Sequence, residues 1–251
     1  QIVASDTDQE EEAQAEYRDG YYWVRMDFGA PDEFGGRMLV ARTELDSERS
    51  GSTELPGIAT GSLEDERDFV INSIQADGWW RPGARSVLQA GAEWRLMSGN
   101  YLYNDEVDFE LLFLTPGAPT TESRSRSIQV RPSGHQAGAY VNWRFEPTTE
   151  LTTDLGLRWD RETLAAQDGS QLSPRAVLMW RPAEDTRLRL SWGRYFQAQG
   201  INELQVSDGE QLYSPAQQAT HLVASIEHDL TPVLKLRAEA YRKDYDHPLP
   251  R

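Results

Sequence analysis

Four histidines, forty-one carboxylates and no cysteine are the groups from which this 251-residue chain could build a metal site or an acid–base pair. His135, His221, His228 and His247 are scattered, with no His-Glu-x-x-His spacing and no thiolate partner, so they predict no zinc centre. The run Glu10, Glu11, Glu12, preceded by Asp6 and Asp8, offers hard oxygen donors. It lacks the spaced ligands and central glycine of a calcium loop, and reads as a solvated surface segment. No GxxxxGK phosphate loop, GxSxG nucleophile elbow or dinucleotide fingerprint occurs. The expectation is a protein without catalytic residues and without a cofactor, whose chemistry is binding.

Charge narrows what it binds. A formal net charge of -16 repels nucleic acid, whose phosphates call for lysine and arginine. A mean hydropathy of -0.66, with no apolar run near the ~18 residues of a membrane helix, excludes a helical membrane protein. It leaves a membrane β-barrel open, because barrel strands need only about 9–11 residues with one apolar face. No basic-then-apolar leader is visible from Gln1 onward, so the chain is expected to be an internal piece or to have lost its signal peptide.

The elements that would carry any site show a period of two. In residues 151–160, Leu151, Leu155, Leu157 and Trp159 fall on one face and Thr152, Asp154, Gly156 and Arg158 on the other. The same rule sets Leu188, Leu190 and Trp192 against Arg187, Arg189 and Ser191, and Leu88, Ala90, Ala92, Trp94 and Leu96 against Gln89, Glu93 and Arg95. Helical spacing gives no continuous apolar stripe in these segments. About ten strands are predicted, near 21–28, 37–46, 67–77, 86–103, 135–146, 150–161, 174–181, 186–196, 218–229 and 233–244.

Tight turns at 147–149, 182–185 and 229–232 alternate with long polar links at 104–134, 162–173 and 197–217. Short turns at one end and long loops at the other are the asymmetry of a bacterial outer-membrane barrel, which predicts periplasmic turns and extracellular loops. Residues 1–20 are then the remnant of an extracellular loop. Trp143, Phe145 and Trp180 beside the turns, with Trp159, Trp192 and Tyr195 towards the loops, predict two aromatic girdles.

Residues 172–251 resemble the barrel of a TonB-dependent receptor, through Ser173-Pro174-Arg175, the strand end Ser191-Trp192-Gly193-Arg194-Tyr195-Phe196 and the loop segment Asn202-Glu203-Leu204. Residues 139–162 resemble the preceding hairpin. The resemblance implies an all-β, antiparallel transmembrane barrel wall, incomplete because about ten strands fall short of the roughly 22 of closed transporters. No plug domain and no TonB-engaging segment is recognisable in 1–251, which reads as one barrel segment. It implies uptake of a scarce nutrient such as a ferric siderophore across the outer membrane of a Gram-negative bacterium. The partners implied are outer-membrane lipid, a small-molecule or metal-chelate ligand, and a TonB-type energy-transducing complex acting through the missing plug.

On that reading the ligand contacts are the rim and loop residues Tyr101, Tyr103, Tyr195, Phe196, Gln197, Asn202 and Tyr213. Arg158, Arg175, Arg187, Arg189, Lys235, Arg237 and Glu239 face the lumen, where they keep the inner wall polar. Two rival architectures remain: a soluble carbohydrate-binding β-sandwich with its tryptophans as core and sugar platform, and a small autonomous porin-like barrel.

Overall fold

A computed structural model describes residues 10–30, 32–56, 58–110, 121–165 and 169–246. The described residues form one antiparallel sheet of eleven strands: β1 (Glu10–Ala30), β2 (Phe34–Leu55), β3 (Ala59–Gly83), β4 (Ser86–Glu110), β5 (Thr121–Val130), β6 (Ser133–Phe145), β7 (Leu151–Glu162), β8 (Gln171–Ala183), β9 (Thr186–Gln197), β10 (Gln217–Thr231) and β11 (Leu234–Asp246). Neighbours in sequence are neighbours in space, except that β5 and β6 both lie along β4. Their register on β4 is continuous, Tyr101 opposite Val130 and Ser98 opposite Ser133. They are therefore one strand, interrupted at Arg131–Pro132 because proline has no N–H to give the ladder. Ten positions across the sheet result, as the alternation predicts. Among the described residues there is no second stacked sheet, which removes the sandwich, and β1 and β11 do not pair with each other, so the sheet is open.

Strand ends differ from the sequence reading in one consistent way. The segment 1–20, expected as a loop, contains Glu10–Gly20 as the far half of β1, and 1–9 lies outside the described residues. The link 104–134 contains the end of β4 and all of β5, while 111–120 lies outside the described residues. Beyond the apolar belt both faces of a strand meet water, so the ladder continues with no alternation to report it.

Cross-strand partners share a face, so the register assigns every side chain. Trp94, Trp143, Trp159, Trp180 and Trp192 lie on one face and are 39–49% exposed, with no second layer of described residues over them. The opposite face carries Arg158, Arg175, Arg187, Arg189, Lys235, Arg237 and Glu239. Tyr195, expected in a girdle, belongs to this polar face, since it follows Gly193 by two residues and Trp192 by three.

The apolar belt has a constant height only if the strands tilt. Trp80 shares a hydrogen-bonded row with Trp143, so Phe145 lies one alternation nearer the turns. Phe145 shares a row with Leu178, so Trp180 is lower by one more. The turn-side aromatics thus descend by two residues for every two strands. At about 3.3 Å per residue and about 4.8 Å between strands this is a tilt of roughly 35°. On β7 the belt from Leu151 to Trp159 is then about 22 Å high, near the ~25 Å apolar band of a membrane barrel.

Leu190 sits mid-belt on the apolar face, opposite Leu178 and Ala224. Leu190→Arg is expected to cost about 2–4 kcal/mol of folding into lipid vesicles, whereas Ser191→Arg, on the polar face, should cost less than about 1 kcal/mol. Equal costs in a denaturant titration would invert or abolish the face assignment.

Candidate functional site on the polar face

The link between β9 and β10, residues 198–216, folds across the polar face and packs three to five strand positions from β9, on β5, β4 and β3, a distance of about 14–24 Å. Its Ile201, Leu204, Val206 and Tyr213 join Phe69, Met97, Tyr101, Tyr103 and Ile128 of the wall in one buried cluster. Phe69 meets Tyr101 edge-on, with ring centroids 4.9 Å apart. The polar groups inside are paired. The Tyr101 hydroxyl donates to the Ile201 carbonyl at 2.7 Å and accepts the Leu204 N–H at 3.1 Å, and the Tyr213 hydroxyl donates to the same carbonyl at 2.6 Å. Buried Gln199 ties the loop's two ends, donating to the Glu203 carbonyl and accepting from the Ser214 N–H. Ala165, from the β7–β8 link, pairs with Tyr213. Beside the cluster, the fully buried Asp65 is held by Arg49 and Arg67, and the Arg67 guanidinium lies 5.3 Å from the Tyr101 ring centre.

This arrangement divides the residues expected at the rim. Tyr101, Tyr103 and Tyr213 are buried and occupied with the loop, so they do not present an open surface; an aromatic near a strand end carries no mark of what will cover it. Asn202 and Gln197 are exposed, on the loop and at the end of β9, and Phe196 points to the apolar face. Tyr195 and Phe196, of the seven, line a half-open depression of about 340 Å³, Tyr195 from the polar face and Phe196 at the open strand end.

That depression is bounded by Tyr140, Arg158, Asp160, Ser173, Arg175 and Tyr195, from β6, β7, β8 and β9. Glycine makes the room. A Cβ at Gly156 would stand 2.4 Å from Arg175 Nε, and one at Gly193 would stand 2.7 Å from the Tyr195 hydroxyl, so both side chains lie flat over bare backbone. Arg158 is committed to Asp160 and Glu93. Tyr140 donates to Asp77 at 2.7 Å. Arg175 meets only the Asn142 side-chain oxygen, at 3.2 Å, and is exposed with no carboxylate partner among the described residues. It is a cation available to an anion. The sequence reading placed Arg158 and Arg175 on this face but missed Tyr140, whose position between Gly138 and Asn142 on the polar side of β6 was the available clue. Nearer the turns, Arg187 and Lys235 pair with Asp229 and Arg237 pairs with Glu227 and Glu239, while Arg189 is exposed and has no ion pair among the described residues.

The upper edge of this site is open between strands. The ladder from β8 to β9 ends at Arg175 opposite Gly193, above which β8 pairs only with β7 and β9 only with β10. Pro174 stands at that end, as a residue that cannot extend hydrogen bonding on both sides must.

Comparison with known proteins gives a family. The family model described as TonB dependent receptor-like, beta-barrel matches residues 6–249. No curated protein matches the chain. Among solved structures, the RagAB peptide importer in its closed-closed state is similar with a TM-score of 0.59 and 11% identity, over 94% of this chain and 31% of that chain. The RagAB peptide transporter is similar with a TM-score of 0.59 and 12% identity, over 96% and 32%. BauA, the ferric preacinetobactin receptor from Acinetobacter baumannii, gives a TM-score of 0.49 and 13% identity, over 91% and 37%. The chain spans about a third of these chains, and the likeness to the two RagAB structures, at 11% and 12% identity, is one of fold.

Burial pushes the Tyr213 hydroxyl far above the ordinary phenol range, helped by the adjacent Tyr101. Its folded value exceeds its unfolded one, so its contribution to loop closure is complete below the ordinary pKa of about 10 and is lost as pH rises through the raised value. The chain has no cysteine, so Asn202→Cys takes a single nitroxide label. The label should be slow at pH 8 and gain mobility above about pH 10. Adding Leu204→Ala, which removes a fully buried side chain, should cost about 2–5 kcal/mol and free the label at pH 8. A label equally mobile in all cases would mean that the loop is not held.

Proposed function

Because the chain belongs to the TonB dependent receptor-like β-barrel family, we propose that it is barrel wall of an outer-membrane receptor for TonB-dependent uptake of a scarce nutrient, of the ferric siderophore class. The reading makes the chemistry one of binding and gating rather than catalysis. Its energy comes from a TonB-type complex, transmitted through a plug domain that this wall surrounds. The long-loop end then faces the cell exterior and the short turns face the periplasm of a Gram-negative bacterium.

The observation that carries the ligand class is Arg175, an uncommitted guanidinium in a depression floored by glycine and walled by Tyr140 and Tyr195. A guanidinium suits a planar, delocalised anion such as a catecholate, hydroxamate or carboxylate chelate, and the two phenols supply flat apolar contact with hydrogen-bonding tips. Tyr195, Gln197 and Asn202 are the rim residues left free to meet it. Loop 198–216 lies between this depression and the exterior, so its position governs access.

Uptake of radio-iron from a panel of ferric siderophores is the test. Loss of uptake of one chelate on deleting the gene, and equally on deleting TonB, is the expected result. Arg175→Ala should weaken binding of that chelate about tenfold or more, the usual consequence of losing a charge-assisted hydrogen bond. Uptake indifferent to both deletions would refute the receptor reading. Loss of peptide uptake instead would keep the receptor and replace the ligand class.

A further inference from the structure

The apolar face has two edges, and arginine marks only one of them. At the long-loop edge the outward series runs from Val40 to Arg42, from Trp159 to Arg161, from Trp192 to Arg194 and from Ala240 to Arg242, all four arginines exposed. The register relates their heights. Arg161 pairs with Ala137, whose row continues through Trp94 and Ile74 to Val40, one alternation below Arg42. Arg194, one residue past Gly193, falls opposite Pro174 and so in the row of Leu157, two alternations below Arg161. Arg242 pairs with Leu222 and thereby shares the row of Trp192, one alternation lower again. The four descend by eight residues over the eight inter-strand steps from β2 to β11.

That is on average the same one-residue-per-strand drift shown by the turn-side aromatics, so a tilt of roughly 35° brings Arg42, Arg194 and Arg242 to a common height, with Arg161 one alternation above them. At the turn-side edge the corresponding outward residues are Phe28, Trp80, Phe145, Trp180 and Leu234, and no described outward residue there is Arg or Lys. Basic residues near that edge, Arg144, Arg187 and Lys235, lie on the polar face. Arginine that merely snorkelled from the belt would serve either edge equally. In a chain of net charge -16 the one-sided row calls for a one-sided counter-charge.

We infer that Arg42, Arg161, Arg194 and Arg242 seat phosphate-bearing lipid headgroups of the leaflet on the long-loop side, a conclusion that rests on the membrane reading above. Guanidinium and phosphate match as planar donor fork and tetrahedral acceptor, and the belt directly below receives the acyl chains. Arg194 has no partner among the described residues. The carboxylates that hold Arg42 and Arg242, Glu44 and Asp244, form exposed ion pairs that a phosphate displaces at little cost. The pocket above Val40 and Trp94, about 410 Å³ and mostly apolar, has Arg42 at its rim and gives a chain-shaped groove beneath one such phosphate.

Native mass spectrometry of the detergent-extracted protein, produced from its complete gene, reads this directly with phosphatidic acid and phosphatidylcholine of identical acyl chains. The protein should prefer phosphatidic acid, by about fivefold for each arginine engaged. Replacing all four (Arg42→Gln, Arg161→Gln, Arg194→Gln, Arg242→Gln) should abolish the preference, while lysine at the same positions retains most of it. Arg187→Gln with Arg189→Gln, on the polar face, should leave it intact. No preference in the parent, a preference surviving the four glutamines, or equal loss in the polar-face control overturns the inference. Flotation with phosphatidylcholine vesicles separates the two readings. Insertion without phosphate preference sinks only this one, and failure to insert sinks the membrane reading with it.

Discussion

A peptide group surrounded by hydrocarbon has no water to turn to, so each N–H and C=O within an apolar belt must be met by a neighbouring strand. Everything regular in this molecule follows from that requirement. Each strand pairs with its sequence neighbour across the whole belt, and the connections there are turns of a few residues. Proline is placed accordingly. Pro82, Pro132, Pro174 and Pro182 fall at the edges of the belt, where a missing N–H can be answered by solvent. The demand on the backbone also frees the side chains. With hydrogen bonding satisfied by the ladder, one face can be wholly apolar and the other can hold charges in cross-strand pairs.

The polar face is where the chain departs from a uniform wall. Two different solutions to burying a surface lie side by side on it. Around Tyr101, apolar side chains and two phenol hydroxyls converge on a loop, and the Ile201 carbonyl accepts from both phenols. Around Arg175, the wall stays open, floored by glycines and bordered by the Arg158, Asp160 and Glu93 network. The first solution holds a segment in place, and the second leaves a cation in a shallow bowl beneath it. Position, more than composition, separates the two, since tyrosine and arginine occur in both.

Alternation made the belt legible from residues alone. The segments 86–96, 151–160 and 186–193 carry it so clearly that facing, register parity and the lumenal arginines could all be read. Legibility failed where the alternation had no physical cause. The segment TESRSRS, residues 121–127, is polar on both faces because it stands above the belt, and with the Ile128–Val130 end too short to show alternation it reads as loop although it is β5. The outer halves of β1, β2 and β3 are hidden for the same reason. The site was half legible. Tyr195 could be found because it closes an alternating strand, whereas the burial of Tyr101 depends on a loop about a hundred residues later, which no local period records.

The break in the ladder between β8 and β9 has a mechanical meaning. Sheets resist lateral stretching because spreading two strands ruptures a hydrogen bond every other residue. Above Arg175 and Gly193 that tie is already absent, so the two strand ends can part without losing any of it. The wall is thus stiff along its belt and compliant at one seam. That seam opens on the bowl holding Arg175 and Tyr195, and it leads directly into the loop that begins after Gln197. A displacement of the loop is therefore passed to the bowl as a change of width rather than as a broken sheet.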